Sequence, residues 1–216
     1  LRRVGMVKDR KSKEKVFRVC AIAKDEGVYL ADWVYHHLYF GFDQIHVYVN
    51  RTTDNSIPLL KEIGKKYPQV TYEVLDWLDY CDPQVAGKLQ NIAYAKDLDY
   101  ALEKAVDWWL CIDIDEYWVP RDFRTSIKDF VAKGCFSDCQ PICFQWHCEV
   151  GKDEPFTFIS NNHGYFIPPL VKTITPIKES EIRNVRVHVP IYGKEVKPLD
   201  ANGNLIKFDE TVDQHT

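Results

Sequence analysis

"DWWLCIDIDEYWVP", residues 107–120, sets an apolar run from Trp108 to Ile112 directly before three carboxylates, Asp113, Asp115 and Glu116. An unbroken run of this kind reads as a strand covered on both faces, which is the place of a central strand in a parallel sheet. Acids crowded at the end of such a strand repel one another unless a cation or a set of hydrogen-bond donors holds them. Alternation puts Asp113 and Asp115 on one side of the extended chain with Ile114 pointing away, so two carboxylates converge on one volume. Hard oxygen ligands in that arrangement suit Mg2+ or Mn2+, which bind through one or two carboxylates plus water or substrate phosphate.

Upstream, the pattern alternates between short apolar runs and helical spacing. "VFRVCAIA" (16–23) reads as a strand, and Leu30, Trp33, Val34, His37 and Leu38 then mark one face of a helix. "IHVYV" (45–49) is a second strand. Asp54, Asn55 and Ser56 supply caps for a helix whose Leu60 and Ile63 face inward and which Pro68 stops. "VTYEVL" (70–75) is a third strand, and residues 108–113 make the fourth. Between them, 84–106 is helical but changes phase: Leu89, Ile92 and Ala93 oppose Leu98, Ala101, Leu102 and Ala105, so the helix is buried on two sides or breaks near 96. Strands and helices in this order give an α/β protein with a mostly parallel central sheet and helices on both faces. Ligands of such sheets bind outside the carboxyl ends of the strands.

Beyond residue 120 the order loosens to a helix at 125–133, a strand at 141–150 and a loop with Asn161, Asn162, Gly164, Pro168 and Pro169. Residues 182–190 alternate as a strand, and a hairpin-like "NGN" (202–204) precedes a polar end. The 216 residues suit one domain. A net charge of -4 argues against a nucleic-acid partner bound by a general basic surface, and the local basic run at residues 1–15 reads as a solvated tail. No apolar stretch reaches the ~18 residues of a membrane span. No signal-peptide core follows Met6. Seven cysteines, an odd number with Cys20 and Cys111 inside apolar runs, suit reduced thiols and a cytoplasmic location. Cys135, Cys139, Cys143, His147 and Cys148 lack CxxC spacing, and Pro141 with the alternating Ile142, Phe144 and Trp146 favours ordinary thiols over zinc.

Three stretches, "AKDEGVYLADWVYHHLYFGFDQIHVYVNRTTDNS" (23–56), "KLQNIAYA" (88–95) and "WWLCIDIDEYWVP" (108–120), resemble the glycosyltransferases of GT-A fold in the family-2-like and family-92-like group. In that group a KNE-type strand end, a Trp and His helix, a GFD turn, a DNxSxD-type loop and a D-x-D-E motif follow in this order. The likeness is close over roughly residues 16–120 and continues in the fragments "FQWHCEVG", "LVKTI" and "VRVHVP". It extends to the transferase domains that large algal viruses carry.

The resemblance implies a single GT-A-like (nucleotide-diphospho-sugar transferase) domain, with 16–120 as its nucleotide-sugar half and 121–216 as its acceptor half. It implies a metal-dependent enzyme that moves a sugar from a UDP-sugar donor to a glycan hydroxyl. Asp113 and Asp115 match the D-x-D that holds Mn2+ or Mg2+ against the donor diphosphate, with Ile114 between them along the donor. Asp54 matches the acid at the uridine, and Lys24 and Glu26 line the base pocket. The family's usual Asn is Asp25 here and its Asp-Asn is Val49-Asn50, so the base and ribose contacts, Asn50 among them, depart from the pattern. Lys88 or Asn91 reaches the phosphates, and His188 either completes the metal shell or is a strand histidine hydrogen-bonded in place.

Loss of a nucleoside diphosphate builds negative charge that a cation must stabilise. Glu149, Asp153 or Glu154 can take the acceptor proton if the reaction inverts the anomeric centre, although "GKDEP" also reads as an ordinary turn. Trp146, His147 and Tyr165 can stack on an acceptor sugar or simply pack the core. His36 and His37 read as structural. The rivals are a sugar-phosphate nucleotidyltransferase, whose Gly-rich phosphate loop is missing here, and a non-catalytic carbohydrate-binding module on the same fold.

Overall fold

The computed structural model describes residues 14–134, 136, 140–150, 164–193, 196–209 and 214–215. Most of the basic tail, Cys135, Cys139, Asp153, Glu154, Asn161 and Asn162 lie outside the described residues.

Four apolar segments form the parallel half of the main sheet: β1 (Phe17–Ala23), β2 (Gln44–Val49), β3 (Val70–Val74) and β4 (Trp108–Cys111). Between them run α1 (Gly27–Tyr39), α2 (Ser56–Lys66), the short α3 (Pro83–Ala86) and α4 (Leu89–Glu103). Downstream come α5 (Ile127–Lys133), β5 (Ile142–Gln145), β6 (Cys148–Val150), β7 (Gly164–Phe166), β8 (Val171–Pro176) and β9 (Leu199–Asp200). The seven-stranded sheet has the order β3-β2-β1-β4-β8-β5-β9. Only β8 breaks its direction, running antiparallel to both β4 and β5.

Strand alternation divides the core between two faces. Val19, Ala21, Trp108 and Leu110 pack with Leu30 and Trp33 of α1, Leu60 of α2 and Ile127 of α5. Cys20, Trp109 and Cys111 pack with Tyr94 and Ala101 of α4 on the other face. The helices therefore cover both sides, and β4 is fully buried, as its apolar run requires.

At three places the structure settles or corrects a sequence expectation. First, of the two readings of 84–106 the break near 96 is excluded: α4 is continuous, with Leu89, Ile92 and Ala93 in one apolar cluster and Leu98 and Ala101 in another, and the chain breaks earlier, at Gly87 and Lys88 between α3 and α4. Its inward face runs Ala93, Tyr94, Asp97, Ala101, while Leu102 is 52% exposed. A buried acid in the inward stripe disguised the period. Asp97 takes Arg18 Nε at 3.0 Å, Arg18 Nη2 at 2.5 Å and Trp109 Nε1 at 2.9 Å, tying α4 to β1 and β4.

Second, residues 141–150 are two strands in two sheets, because after Gln145 the chain leaves the main sheet and β6 pairs with β7 instead. Third, 182–190 is no strand and carries only an isolated bridge from Asn184 to Ile191. Its valines are anchored singly, Val185 against Tyr94 and Cys111, Val189 against Cys143 and Val171. The "NGN" turn is present, with the Asp200 carboxylate accepting from the Asn202 and Asn204 amides.

His37 sits at the centre of the α1 face with no exposure. Its Nδ1 bonds the Trp33 carbonyl at 2.8 Å, while Nε2 lies 3.4 Å from the Trp118 amide, which suits the neutral Nδ1–H form. Burial, helped by the neighbouring His36, lowers its pKa to about 3. The unfolded chain, with histidine near 6.5, then binds more protons than the folded one, so stability is complete above pH ~6.5 and falls as pH drops toward 3. The expected loss from this residue between pH 7 and 4.5 is about 3 kcal/mol, read from urea unfolding. A His37→Leu variant should flatten that slope; an unchanged slope would show that other groups set the acid sensitivity.

Candidate active site

The chain enters the site from β4 and turns sharply. The Glu116 amide donates to the Asp113 carbonyl at 3.1 Å, and the Asp113 amide donates to Glu116 Oε2 at 2.9 Å. Helix α1 clamps this turn from below: Trp33 Nε1 donates to the carbonyls of Asp113 at 3.1 Å and Glu116 at 2.9 Å. His36 Nε2 lies 2.8 Å from the Trp118 carbonyl. The Trp and His residues of the helix thus hold backbone, in keeping with their structural reading.

The three carboxylates have different fates. Asp113 Oδ1 accepts from Gln90 Nε2 at 3.1 Å and Tyr94 OH at 3.4 Å, both from α4, and Oδ2 accepts from Lys172 Nζ at 3.1 Å. Glu116 Oε2 lies 3.2 Å from the same ammonium. Burial raises the Glu116 pKa to about 7, against the pull of Lys172. Burial also works to lower the pKa of Lys172, but Glu116 and Asp113 outweigh it and hold it above its usual value. Asp115 is exposed, and among the described residues no hydrogen bond or ion pair engages its carboxylate. Glu26 has its pKa raised by burial first and then by Asp115, Asp54, Asp25 and Asp113, which places these acids around one volume. The repulsion at the end of β4 is therefore half relieved by Lys172 and half left open at Asp115.

At the neighbouring strand ends, Asp54 Oδ2 accepts from the Gly27 amide at 2.7 Å and Oδ1 from the Ser56 amide at 2.9 Å. These donors hold Asp54 below its usual pKa, although burial pulls the other way. A Cβ at Gly27 would strike Asn55 Oδ1 and come 2.8 Å from Asp54 Oδ2, so a larger residue there would have to displace both side chains. Asp25 (φ 56) and Arg51 (φ 52) stand in the left-handed region at the ends of β1 and β2. The Arg51 amide bonds Asp76 Oδ1 at 2.8 Å and its guanidinium bonds Asp79. Asn50, 5% exposed, donates to the Leu75 carbonyl at 3.3 Å. Asn50, Arg51, Asp79, Cys81, Gly87 and Leu89 line a cleft of about 340 Å³. A cleft of about 400 Å³ lies at the amino ends of β1 and β2, by Arg18 and Gln44. The first is the better ligand site, because it opens at the carboxyl ends.

Other expected residues fall at graded positions. Ile114 is 2% exposed and packs in the core, so its side chain takes no part in the site. Lys24 is exposed at the end of β1, and Lys88 is exposed just before α4. Asn91 is exposed with its Nδ2 on the Val185 carbonyl at 3.2 Å. Trp146 lies with its ring 5.6 Å from Lys172 Nζ and 5.3 Å from the His188 ring. His188 Nδ1 is 3.2 Å from the Val171 carbonyl. His147 packs 6.0 Å from Tyr165, and Glu149 sits exposed on β6. Gln90, Tyr94 and Lys172 were missed from the sequence. The one signal for Lys172 was a charged residue inside the apolar strand "LVKTI".

Among the described residues no three His, Cys, Asp or Glu side chains are grouped to hold a metal ion by themselves, so Asp113, Asp115 and His188 do not form a ready shell. An exposed, unpaired carboxylate beside other acids nevertheless fits Mg2+ or Mn2+, whose remaining ligands are waters and phosphate oxygens.

A buried β4, a turn of acids at its carboxyl end and flanking strand ends lined with polar groups make the kind of crevice in which open α/β sheets bind their ligands. The sequence model of glycosyltransferase family 92 matches residues 17–184, from the start of β1 past the end of β8. The chain belongs to glycosyltransferase family 92. It is accordingly a glycosyltransferase, acting between a sugar donor and a glycan acceptor. No curated protein matches it. In this family 92 chain no helix among the described residues is long and apolar enough to cross a membrane.

Proposed function

We infer that this transferase uses a UDP-sugar donor and a divalent ion, Mn2+ or Mg2+, bound through Asp115, to glycosylate a hydroxyl of a glycan. The observation that carries the reading is the division among the acids: Asp113 and Glu116 are compensated by Lys172, whereas Asp115 is exposed and unpaired beside Glu26. Bound there, the ion supplies positive charge to the departing diphosphate. The chain's own residues do the rest. The ends of β1 and β2, with Asn50, Asp54, Lys24 and Glu26, face the nucleoside. Each Asp54 oxygen keeps a lone pair beyond its backbone bond. Lys88 and Asn91, at the start of α4, lie on the phosphate side.

The bond between the anomeric carbon and the phosphate oxygen breaks, and the acceptor oxygen forms the new bond to that carbon. For an inverting reaction the acceptor proton passes to a carboxylate of the acceptor half, Glu149 on β6 or Asp153 beyond it. Trp146 and His147 border that side.

Isothermal titration of UDP with and without Mn2+ tests the reading, alongside incubation with a panel of UDP- and GDP-sugars to detect slow donor hydrolysis. Binding of UDP that requires Mn2+ and disappears in Asp115→Asn is expected. Metal-independent glycan binding without any donor turnover would support a binding module instead.

A further inference from the structure

The geometry points to Lys172 as a positioning residue of the donor site: its ammonium fixes Asp113 and Glu116 before any ligand arrives. A lysine in a fully buried strand is costly unless it is paired and hydrogen-bonded. Here the side chain is 5% exposed and its Nζ meets Asp113 Oδ2 at 3.1 Å and Glu116 Oε2 at 3.2 Å. The Trp146 ring stands 5.6 Å from the same Nζ, within cation–π range. By contrast, the Lys65–Glu62 pair has both side chains more than 60% exposed and fixes little.

Sheet register explains the placement. β8 runs antiparallel to β4, and their last pair is Leu110 with Ile174. Two residues beyond that pair in the same direction stand Ile112, just past the end of β4, and Lys172 on β8, so the ammonium arrives where the chain leaves β4 for Asp113. Gln90 and Tyr94 of α4 grip Oδ1 of Asp113, and Lys172 grips Oδ2 from the opposite neighbour. With both oxygens held from different elements, the carboxylate has no rotamer freedom left. Lys172 also joins the two halves of the site, since Trp146 and beyond it His188 pack on its other side.

The test compares wild type with Lys172→Met, Lys172→Arg and the charge-balanced Lys172→Met/Glu116→Gln. Hydrogen exchange over residues 112–118 is read without ligand, and kcat and KM for the donor are read by turnover. In Lys172→Met, exchange should quicken about tenfold or more and kcat should fall about a hundredfold, with a smaller change in KM, the signature of a misplaced site. Lys172→Arg should recover part of both. The double variant lacks the uncompensated buried charge that threatens folding of the single one, yet its kcat should stay about as low.

A double variant with kcat within about threefold of wild type would overturn the proposal, showing that Lys172 only balances charge. Unchanged exchange in folded Lys172→Met would overturn it equally. The kinetic arm rests on the transferase reading above, but the exchange arm does not. Absence of donor turnover in wild type would therefore remove that reading and leave the exchange result to decide on Lys172.

Discussion

Asp115→Asn is expected to lower donor turnover by about a hundredfold to a thousandfold, the usual cost of losing a key electrostatic contact to a developing negative charge. Its thermal unfolding should stay within about 1 °C of wild type, since the side chain is exposed and unpaired among the described residues and surface changes are close to neutral. Asp113→Asn should behave differently. It removes the carboxylate that accepts from Gln90, Tyr94 and Lys172, so stability and turnover fall together. The pair separates a carboxylate facing ligand from one facing the protein. Equal loss of stability in both would mean that Asp115 also holds the fold.

Asp97→Ala should be among the most destabilising single changes, at about 3–5 kcal/mol, because it strands a buried charge. Asp97 has no exposure and Arg18 has 3%, and besides Arg18 the acid satisfies Trp109 Nε1 and takes a longer contact from Tyr48 OH at 3.4 Å. Arg18 also donates to Gln44 at 3.2 Å and lies 4.4 Å from the Tyr100 ring centre. Urea unfolding would register the loss as a midpoint lower by about 2 M at a slope of ~2 kcal/mol/M. Replacing both partners, Arg18→Met with Asp97→Leu, should recover most of it, since a buried pair exchanged for apolar residues is often neutral. A single variant losing under about 1 kcal/mol would show that water reaches the network.

The parallel half of the sheet was readable because its signals are local. An apolar run such as Trp108–Ile112, too short for a helix and rich in aromatic residues, reads as a covered strand, and polar residues between runs mark the turns. The acids at the end of β4 were readable for the same reason, but the turn was not: Asp113 to Asp115 read as extended chain, whereas β4 ends at Cys111 and Ile114 and Asp115 form a turn that leaves Asp113 bonded and Asp115 exposed. What escaped depends on partners distant in sequence. Asp97 did not stand out because nothing near it in the sequence announces Arg18, 79 residues away. Lys172 stands 59 residues beyond Asp113, and their meeting follows from an antiparallel strand entering a parallel sheet, which no local pattern specifies. Val185 and Val189 misled in the opposite way, since buried valines four apart on an irregular segment imitate strand alternation. Asp54 was legible as both cap and ligand; its carboxylate accepts from the amides of Gly27 and Ser56, the first residues of α1 and α2, while the uridine role belongs to the proposed function.

The most direct measurement is anomalous diffraction from crystals soaked with Mn2+ and UDP. The account requires one strong manganese peak in direct contact with an Asp115 carboxylate oxygen and UDP bound at the same carboxyl end of the sheet. A map with UDP bound elsewhere, or with no manganese at the carboxyl end of β4, would contradict it.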